Sequence, residues 1–164
     1  MDNFSSVVTD TTFRCVLVIA LLNEWNMEVV DIETAFLYGV LDKEIYMKIP
    51  EGLEDYMGTG FGGDECLILD KAIYGLVQAA RQFHRNLTKV MEKNMEFKKC
   101  MADPCLLMRK TDQGIVVVCV YIDDTLCTGD KRAIQEVKDE IKTHFAIKEE
   151  DEMKEYVGCK VKNK

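Results

Sequence analysis

Nowhere is this chain apolar for more than eight residues in a row: the longest runs are Cys15–Leu22 and Ile115–Ile122. A bilayer-spanning helix needs about 20 apolar residues, so neither run is a membrane span, and no amino-terminal signal pattern precedes them. Histidine is scarce, at two residues, and the seven cysteines (15, 66, 100, 105, 119, 127 and 159) contain no Cys-x-x-Cys pair. That odd, scattered set argues against a disulfide framework and against a zinc site, and it fits a reducing interior. Repeats and low-complexity tracts are missing as well. The one linker-like stretch, Met57-Gly-Thr-Gly-Phe-Gly-Gly63, reads as a flexible loop.

What is present describes one globular domain. The 164 residues are 48% hydrophobic and 30% charged, enough for a real core and far from the composition of a disordered chain. The net charge of −8 argues against a polyanionic partner until it is divided along the chain. Residues 1–70 carry 3 basic and 14 acidic side chains, residues 71–110 carry 9 and 3, and residues 111–164 carry 9 and 12. A basic block thus lies between two acidic stretches. It is either a solvated helix face or a surface for phosphates, since the local field attracts a polyanion.

The periodicity predicts a mixed α and β order. Thr11–Glu24 is apolar nearly all round and predicts a buried helix opened by Thr11 or Thr12. Met27–Ile32 reads as a buried strand and Ile45–Ile49 as another, ended by Pro50. Gln78–Lys93 sets Ala79, Phe83, Leu87, Val90 and Met91 on one helical face, with Arg81, Arg85 and Lys89 opposite. Cys105–Arg109 and Ile115–Tyr121 read as strands joined by a turn over 110–114, and Thr125–Thr128 as a returning strand after a hairpin tip at Asp123-Asp124. Asp130 is placed to cap a helix whose inner stripe is Ile134, Val137, Ile141 and Phe145. Glu155–Val161 reads as a last short strand.

Asp123 and Asp124 follow eight apolar residues, and Asp31 ends the hydrophobic strand in the same way. Adjacent carboxylates repel unless solvent or cations neutralise them. Three acids at the ends of two neighbouring buried strands would suit hard divalent cations, which take oxygen ligands and keep waters that phosphates can replace. The plainer alternative is a turn, where aspartate is favoured.

Tyr121-Ile-Asp-Asp124 resembles the Tyr-x-Asp-Asp box of reverse transcriptases, and it has company along the chain. Asp31-Ile-Glu-Thr-Ala-Phe-Leu-Tyr-Gly39 resembles the first-aspartate motif of copia-type retrotransposon polymerases, and Glu44-Ile-Tyr-Met47 with Pro50-Glu-Gly52 the segment after it. Lys71-Ala-Ile-Tyr-Gly-Leu-Val-Gln-Ala-Ala-Arg81 is similar to the family's Lys-Ala-Leu-Tyr-Gly-Leu-Lys-Gln-Ala-Pro-Arg. Phe4-Ser-Ser-Val-Val8, Asp103-Pro-Cys-Leu106 and Tyr156-Val-Gly158 match further landmarks in the same order.

The resemblance implies an α+β palm: a ferredoxin-like antiparallel sheet with helices over about 78–93 and 130–144 on one face. Residues 1–164 would be one such domain, with partial fingers over about 1–26 and 40–70 and the thumb absent. It implies RNA-directed DNA polymerase chemistry, in which a primer 3′-hydroxyl attacks the α-phosphate of a dNTP. Asp31, Asp123 and Asp124 would hold two magnesium ions, with manganese as a substitute. Ile32, Phe36 and Gln78 would meet the nucleotide, with Phe36 under the sugar. Tyr74, Gly75, Arg81, Arg85 and Tyr121 would meet template and primer. The implied partners are an RNA or DNA template-primer and the rest of a polyprotein (fingers, thumb, RNase H, integrase). The implied location is intracellular, in cytoplasm, a virus-like particle or the nucleus, with no membrane.

Three departures stand out. Val77 replaces the family's lysine, Ala80 its proline and Phe83 its tryptophan. Losing that lysine removes a cation where phosphate charge gathers, and supports a second reading: an inactive palm relic or interaction module, with little or no synthesis by the fragment alone. Separately, Gly62-Gly-Asp-Glu65 reproduces the start of the Gly-Gly-Asp-Glu-Phe signature of diguanylate cyclases, but Cys66 stands where phenylalanine belongs.

Overall fold

The computed structural model describes residues 5–57 and 65–149 and the residue pairs 155–156 and 159–160. Phe4, most of the 57–63 loop, the cyclase-like residues through Asp64, and Val157-Gly158 lie outside the described residues. The elements run α1 (Asp10–Leu22), β1 (Asn26–Ile32), a 3-10 turn (Ala35–Tyr38), β2 (Tyr46–Lys48), α2 (Leu53–Met57), β3 (Cys66–Ile68) and α3 (Ala79–Lys93). They continue with β4 (Lys98–Lys99), β5 (Leu106–Thr111), β6 (Gly114–Tyr121), β7 (Asp124–Gly129), α4 (Lys131–Lys142), β8 (Ile147–Glu149), β9 (Glu155–Tyr156) and β10 (Cys159–Lys160).

Six strands form one sheet in the order β4-β5-β6-β7-β1-β8, and every neighbouring pair is antiparallel. The α+β class expected from the sequence is what forms. The central strands explain the unbroken apolar run in β6: Val116–Val120 is buried throughout, as a strand covered on both faces must be. On one face Val116, Val118 and Val120 line up with Cys127, Val30 and Ile32. α4 covers that face, touching β1, β6 and β7. It buries Ala133, Ile134, Val137 and Ile141, and Phe145 follows them into the core, so the predicted stripe holds. Two ionic clamps fasten the helix to the sheet: Lys138 Nζ lies 2.8 Å from Glu28, and Arg109 bridges Glu136 at 3.5 Å and Glu140. α3 adds Phe83, Leu87 and Met91 to the same core, with Phe83 edge-on to Phe145 at 6.5 Å.

Four local expectations need correction. α1 is not buried all round: it buries Phe13, Val16 and Ala20, and leaves Val18, Ile19, Leu21 and Leu22 exposed. Its cap is Thr9, whose hydroxyl accepts the Thr12 N–H at 3.3 Å, and not Thr11 or Thr12. Asp130 occupies the cap position of α4 but makes no side-chain cap bond; its carboxylate accepts the Ile115 N–H at 2.9 Å, tying the helix to β6. The last expected strand is instead the two-residue pair β9 and β10. The start of α1 is fastened by Asp103, which accepts N–H groups from Thr9 at 2.9 Å and Cys105 at 3.0 Å. Val8 N–H reaches Val120 carbonyl oxygen at 3.1 Å.

Candidate functional site

The register of three strand pairs builds the site. β1 lies against β7 with Asp31 opposite Asp124, and β6 lies against β7 with Tyr121 opposite the same Asp124. On the other side of β1, Lys148 of β8 faces Asp31. Residues directly opposite in antiparallel strands share a face, with Cβ atoms about 4.5–5.5 Å apart. Lys148, Asp31, Asp124 and Tyr121 therefore form one row across four strands. Strand alternation fixes the side: Glu28, held by Lys138 of α4, marks the helix-covered face, and Asp31, three residues on, has the opposite parity. The row lies on the face away from α4.

The hairpin tip differs from expectation by one residue. It is Ile122-Asp123, and Asp124 is already a paired strand residue. Ile122 has φ +54°, the left-handed region, which costs a β-branched residue about 1–2 kcal/mol. The ladder on either side holds that strain in place. A two-residue reversal normally advertises itself with glycine or asparagine; isoleucine gives no such signal. The result sets Asp123 in the turn beside the row, and Asp31, Asp123, Asp124 and Tyr121 are all half-buried.

Among the described residues no group of three or more His, Cys, Asp or Glu side chains is gathered into a metal-holding cage. The donors are instead two carboxylates side by side and a third in the adjoining turn. Carboxylate oxygens are the donors hard divalent cations take, and here the register brings two of them opposite one another without closing a cation site. On this face of the sheet burial pushes the Cys119 thiol up to about 12, so it offers no thiolate.

Beyond Asp31 the chain turns sharply, and several groups hold that turn. The Phe36 ring lies 4.4 Å from the Tyr74 ring at 52°, bringing two of the predicted residues together. Gly39 permits the approach of α3: a Cβ there would meet Gln82 Cβ at 2.9 Å and Phe83 N at 3.1 Å. Its carbonyl accepts the Ala72 N–H at 2.9 Å, Asn86 donates to the Tyr38 carbonyl at 2.9 Å, and the Tyr38 hydroxyl accepts the Ala146 N–H at 2.9 Å. Tyr38 thereby links the turn after Asp31 to the residue just before β8. Sequence reasoning missed Tyr38, Asn86 and Lys148, because each acts across a long separation in the chain.

The other predicted residues are spread around this turn. Gln78 is the residue before α3 and is half-buried; Gly75 has φ +92° with open space at its Cβ position. Arg81 is half-buried, and Arg85 is exposed, 4.0 Å from Asp42. Ile32 is 2% exposed and pairs with Ile147, so its side chain belongs to the core on the helix side. A Cys–His pair elsewhere is not a nucleophile: His84 Nε2 lies 3.3 Å from Cys105 Sγ, but burial, with Lys99 nearby, lowers the imidazole's pKa, and burial pushes the thiol up to about 12.

Comparison with known proteins agrees along the whole chain. A family model described as "Reverse transcriptase (RNA-dependent DNA polymerase)" matches residues 1–164. The chain is 33% identical over 162 residues to the retrovirus-related Pol polyprotein from transposon TNT 1-94 of Nicotiana tabacum, covering 96% of this chain and 12% of that protein. It is 32% identical to the Pol polyprotein from transposon RE2 of Arabidopsis thaliana, covering 98% and 11%. A putative transposon Ty5-1 protein of Saccharomyces cerevisiae is 27% identical over 137 residues, covering 80% of this chain and 41% of that protein. No solved structure matches. The chain thus spans 11–12% of the length of the first two relatives. Among the described residues, no helix is long and apolar enough to cross a membrane.

Proposed function

Because this chain belongs to the reverse transcriptase family and is a reverse transcriptase domain of the kind found in copia-type Pol polyproteins, we propose that it supplies the palm of an RNA-directed DNA polymerase. In this reading residues 1–164 are one palm domain with partial fingers over about 1–26 and 40–70. Asp31, Asp123 and Asp124 would hold two magnesium ions, which when bound stabilise both the attacking and the leaving oxygen of phosphoryl transfer. A bond forms between the primer 3′-oxygen and the α-phosphorus of the dNTP, the bond to pyrophosphate breaks, and the hydroxyl proton passes to solvent. Phe36, braced by Tyr74, would support the sugar of the nucleotide; Ile32 can contribute only backbone, and Gln78 comes from the start of α3. Tyr74, Gly75, Arg81, Arg85 and Tyr121 would meet template and primer. The remaining polyprotein would complete the enzyme, within the cell.

One observation carries the reading: the antiparallel register that sets Asp31 opposite Asp124 although 93 residues separate them. The test is a calorimetric titration with Mn²⁺ of the wild-type chain and of Asp123→Asn, together with primer extension by the longer polyprotein product. The expected result is weak binding lost in the variant, and synthesis abolished by the same substitution. Identical binding by both proteins overturns the reading. The alternative, a catalytically silent palm, is favoured by Val77, which is 68% exposed where the family carries lysine. Metal binding without synthesis by the longer product would decide for it. The family match runs through Gly62–Glu65, and the cyclase reading of those residues is set aside.

A further inference from the structure

The turn that carries Phe36 is held from outside. It starts from Thr34, whose φ is +50° and whose side chain makes no cap bond; a β-branched residue adopts that left-handed conformation only under strain. Two internal bonds close the turn, from Leu37 N–H to the Thr34 carbonyl at 2.8 Å and from Gly39 N–H to the Phe36 carbonyl at 2.9 Å, and bonds of this 3-10 kind are poorly aligned. Strain persists where the surroundings over-determine it. Here three further bonds reach the turn from three separate segments. The Asn86 amide of α3 donates to the Tyr38 carbonyl, Ala146 N–H to the Tyr38 hydroxyl and Ala72 N–H to the Gly39 carbonyl, each at 2.9 Å.

Asn86 stands apart by what it is attached to. It is half-buried and lies about two turns inside α3, the helix that Gln78 immediately precedes. Its amide therefore ties the Phe36 turn and Gln78 to one rigid element. The Ala72 bond brings Tyr74, two residues further on, to the same turn, where its ring lies 4.4 Å from that of Phe36.

Resting on the polymerase reading above, we infer that Asn86 is a positioning residue for the nucleotide: its amide holds the Phe36 turn against α3 and so fixes the spacing between Phe36 and Gln78. Asn86 itself touches no substrate. Without the amide, Thr34 relaxes, Phe36 drifts, and part of the nucleotide's binding free energy goes into restoring the turn. The loss falls on dNTP affinity. Asp31 and Asp124 are held by the β1–β7 ladder, so the chemical step is left alone.

The experiment has two arms, with wild type, Asn86→Asp (the same shape without the donor), Asn86→Leu and Asn86→Gln (which keeps the amide). In the 164-residue chain, amide hydrogen exchange is followed by nuclear magnetic resonance. The Leu37, Gly39 and Ala72 amides should exchange about three- to tenfold faster in Asn86→Asp and Asn86→Leu, while those of Val118 and Cys127 in the sheet keep their wild-type rates. In the longer polyprotein product, primer extension should show the dNTP KM raised about three- to tenfold with kcat changed by less than about twofold. Asn86→Gln should recover most of both changes. Asp103→Asn, which removes a fastening of α1, controls for lost stability and should leave KM unchanged. Wild-type exchange rates in Asn86→Asp and Asn86→Leu, or an unmoved KM in an active product, overturn the inference and leave the polymerase standing. An equal rise in KM in Asp103→Asn, or Asn86→Gln behaving as Asn86→Leu, overturns it as well. No synthesis by the wild-type longer product removes the polymerase reading, and this inference with it.

Discussion

Thr125 follows Asp124 in β7, turned to the helix-covered side between Val120 and Val30. Among the described residues its hydroxyl is the one buried side-chain oxygen without a hydrogen-bond partner. Such an orphan costs stability, whereas an apolar group of the same shape does not. Thr125→Val should therefore raise the thermal midpoint, by up to about 1 kcal/mol of added stability. A fall would show that the hydroxyl holds an internal water. Ile122, three residues earlier, shows why single positions resist reading: its φ of +54° is imposed by the ladder on both sides. Lys148 resists for another reason. Its partner is 117 positions away, and only the register of β1 with β8 joins them.

Asp103 shows how one short segment can fasten two elements. Burial pushes its carboxyl up, but N–H groups from Thr9 and Cys105 and the hydroxyls of Thr12 and Thr9 outweigh that and hold it below the usual carboxylate range. Bonds to an ionised acceptor are worth about 1.5–3 kcal/mol. Asp103→Asn should thus lower stability by roughly 1–3 kcal/mol in a urea titration, because the start of α1 comes loose from the β5 end of the sheet. Much at this level was legible. β1, β6, α3 and α4 carry strong apolar patterns, and their observed bounds fall close to those expected. α1 was misjudged because an apolar sequence states what can be buried and not what covers it. Val18, Ile19, Leu21 and Leu22 find no cover among the described residues. The carboxylates at 31, 123 and 124 were legible as acids ending apolar strands that could converge if those strands were neighbours; that Asp31 lies opposite Asp124 was not, since the register between distant strands leaves no local trace.

The folded molecule also responds to acid in a way one core pair sets. Burial, with Lys99 nearby, lowers the pKa of His84 from its ordinary 6.5. A base with a depressed folded-state pKa takes up its proton more readily when unfolded, so its contribution is intact above pH 6.5 and is lost as pH falls through the lower folded value. The thermal midpoint should therefore drop between pH 7 and pH 5, and His84→Gln should flatten that decline when followed by circular dichroism; equal slopes in both proteins would remove His84 as the cause. A further loss is expected in stronger acid as Asp103 takes up its proton.

Finally, the two-residue reversal at Ile122-Asp123 joins strands whose side chains alternate with period two. One codon gained or lost inside β7 or β1 would invert the phase of everything beyond it, driving a carboxylate under α4 and turning Val30 or Thr125 to the opposite face. Length variation among transposon copies that still fold this way should accordingly collect between Pro50 and Glu65, away from the hairpin, and any that does touch the hairpin should arrive in steps of two.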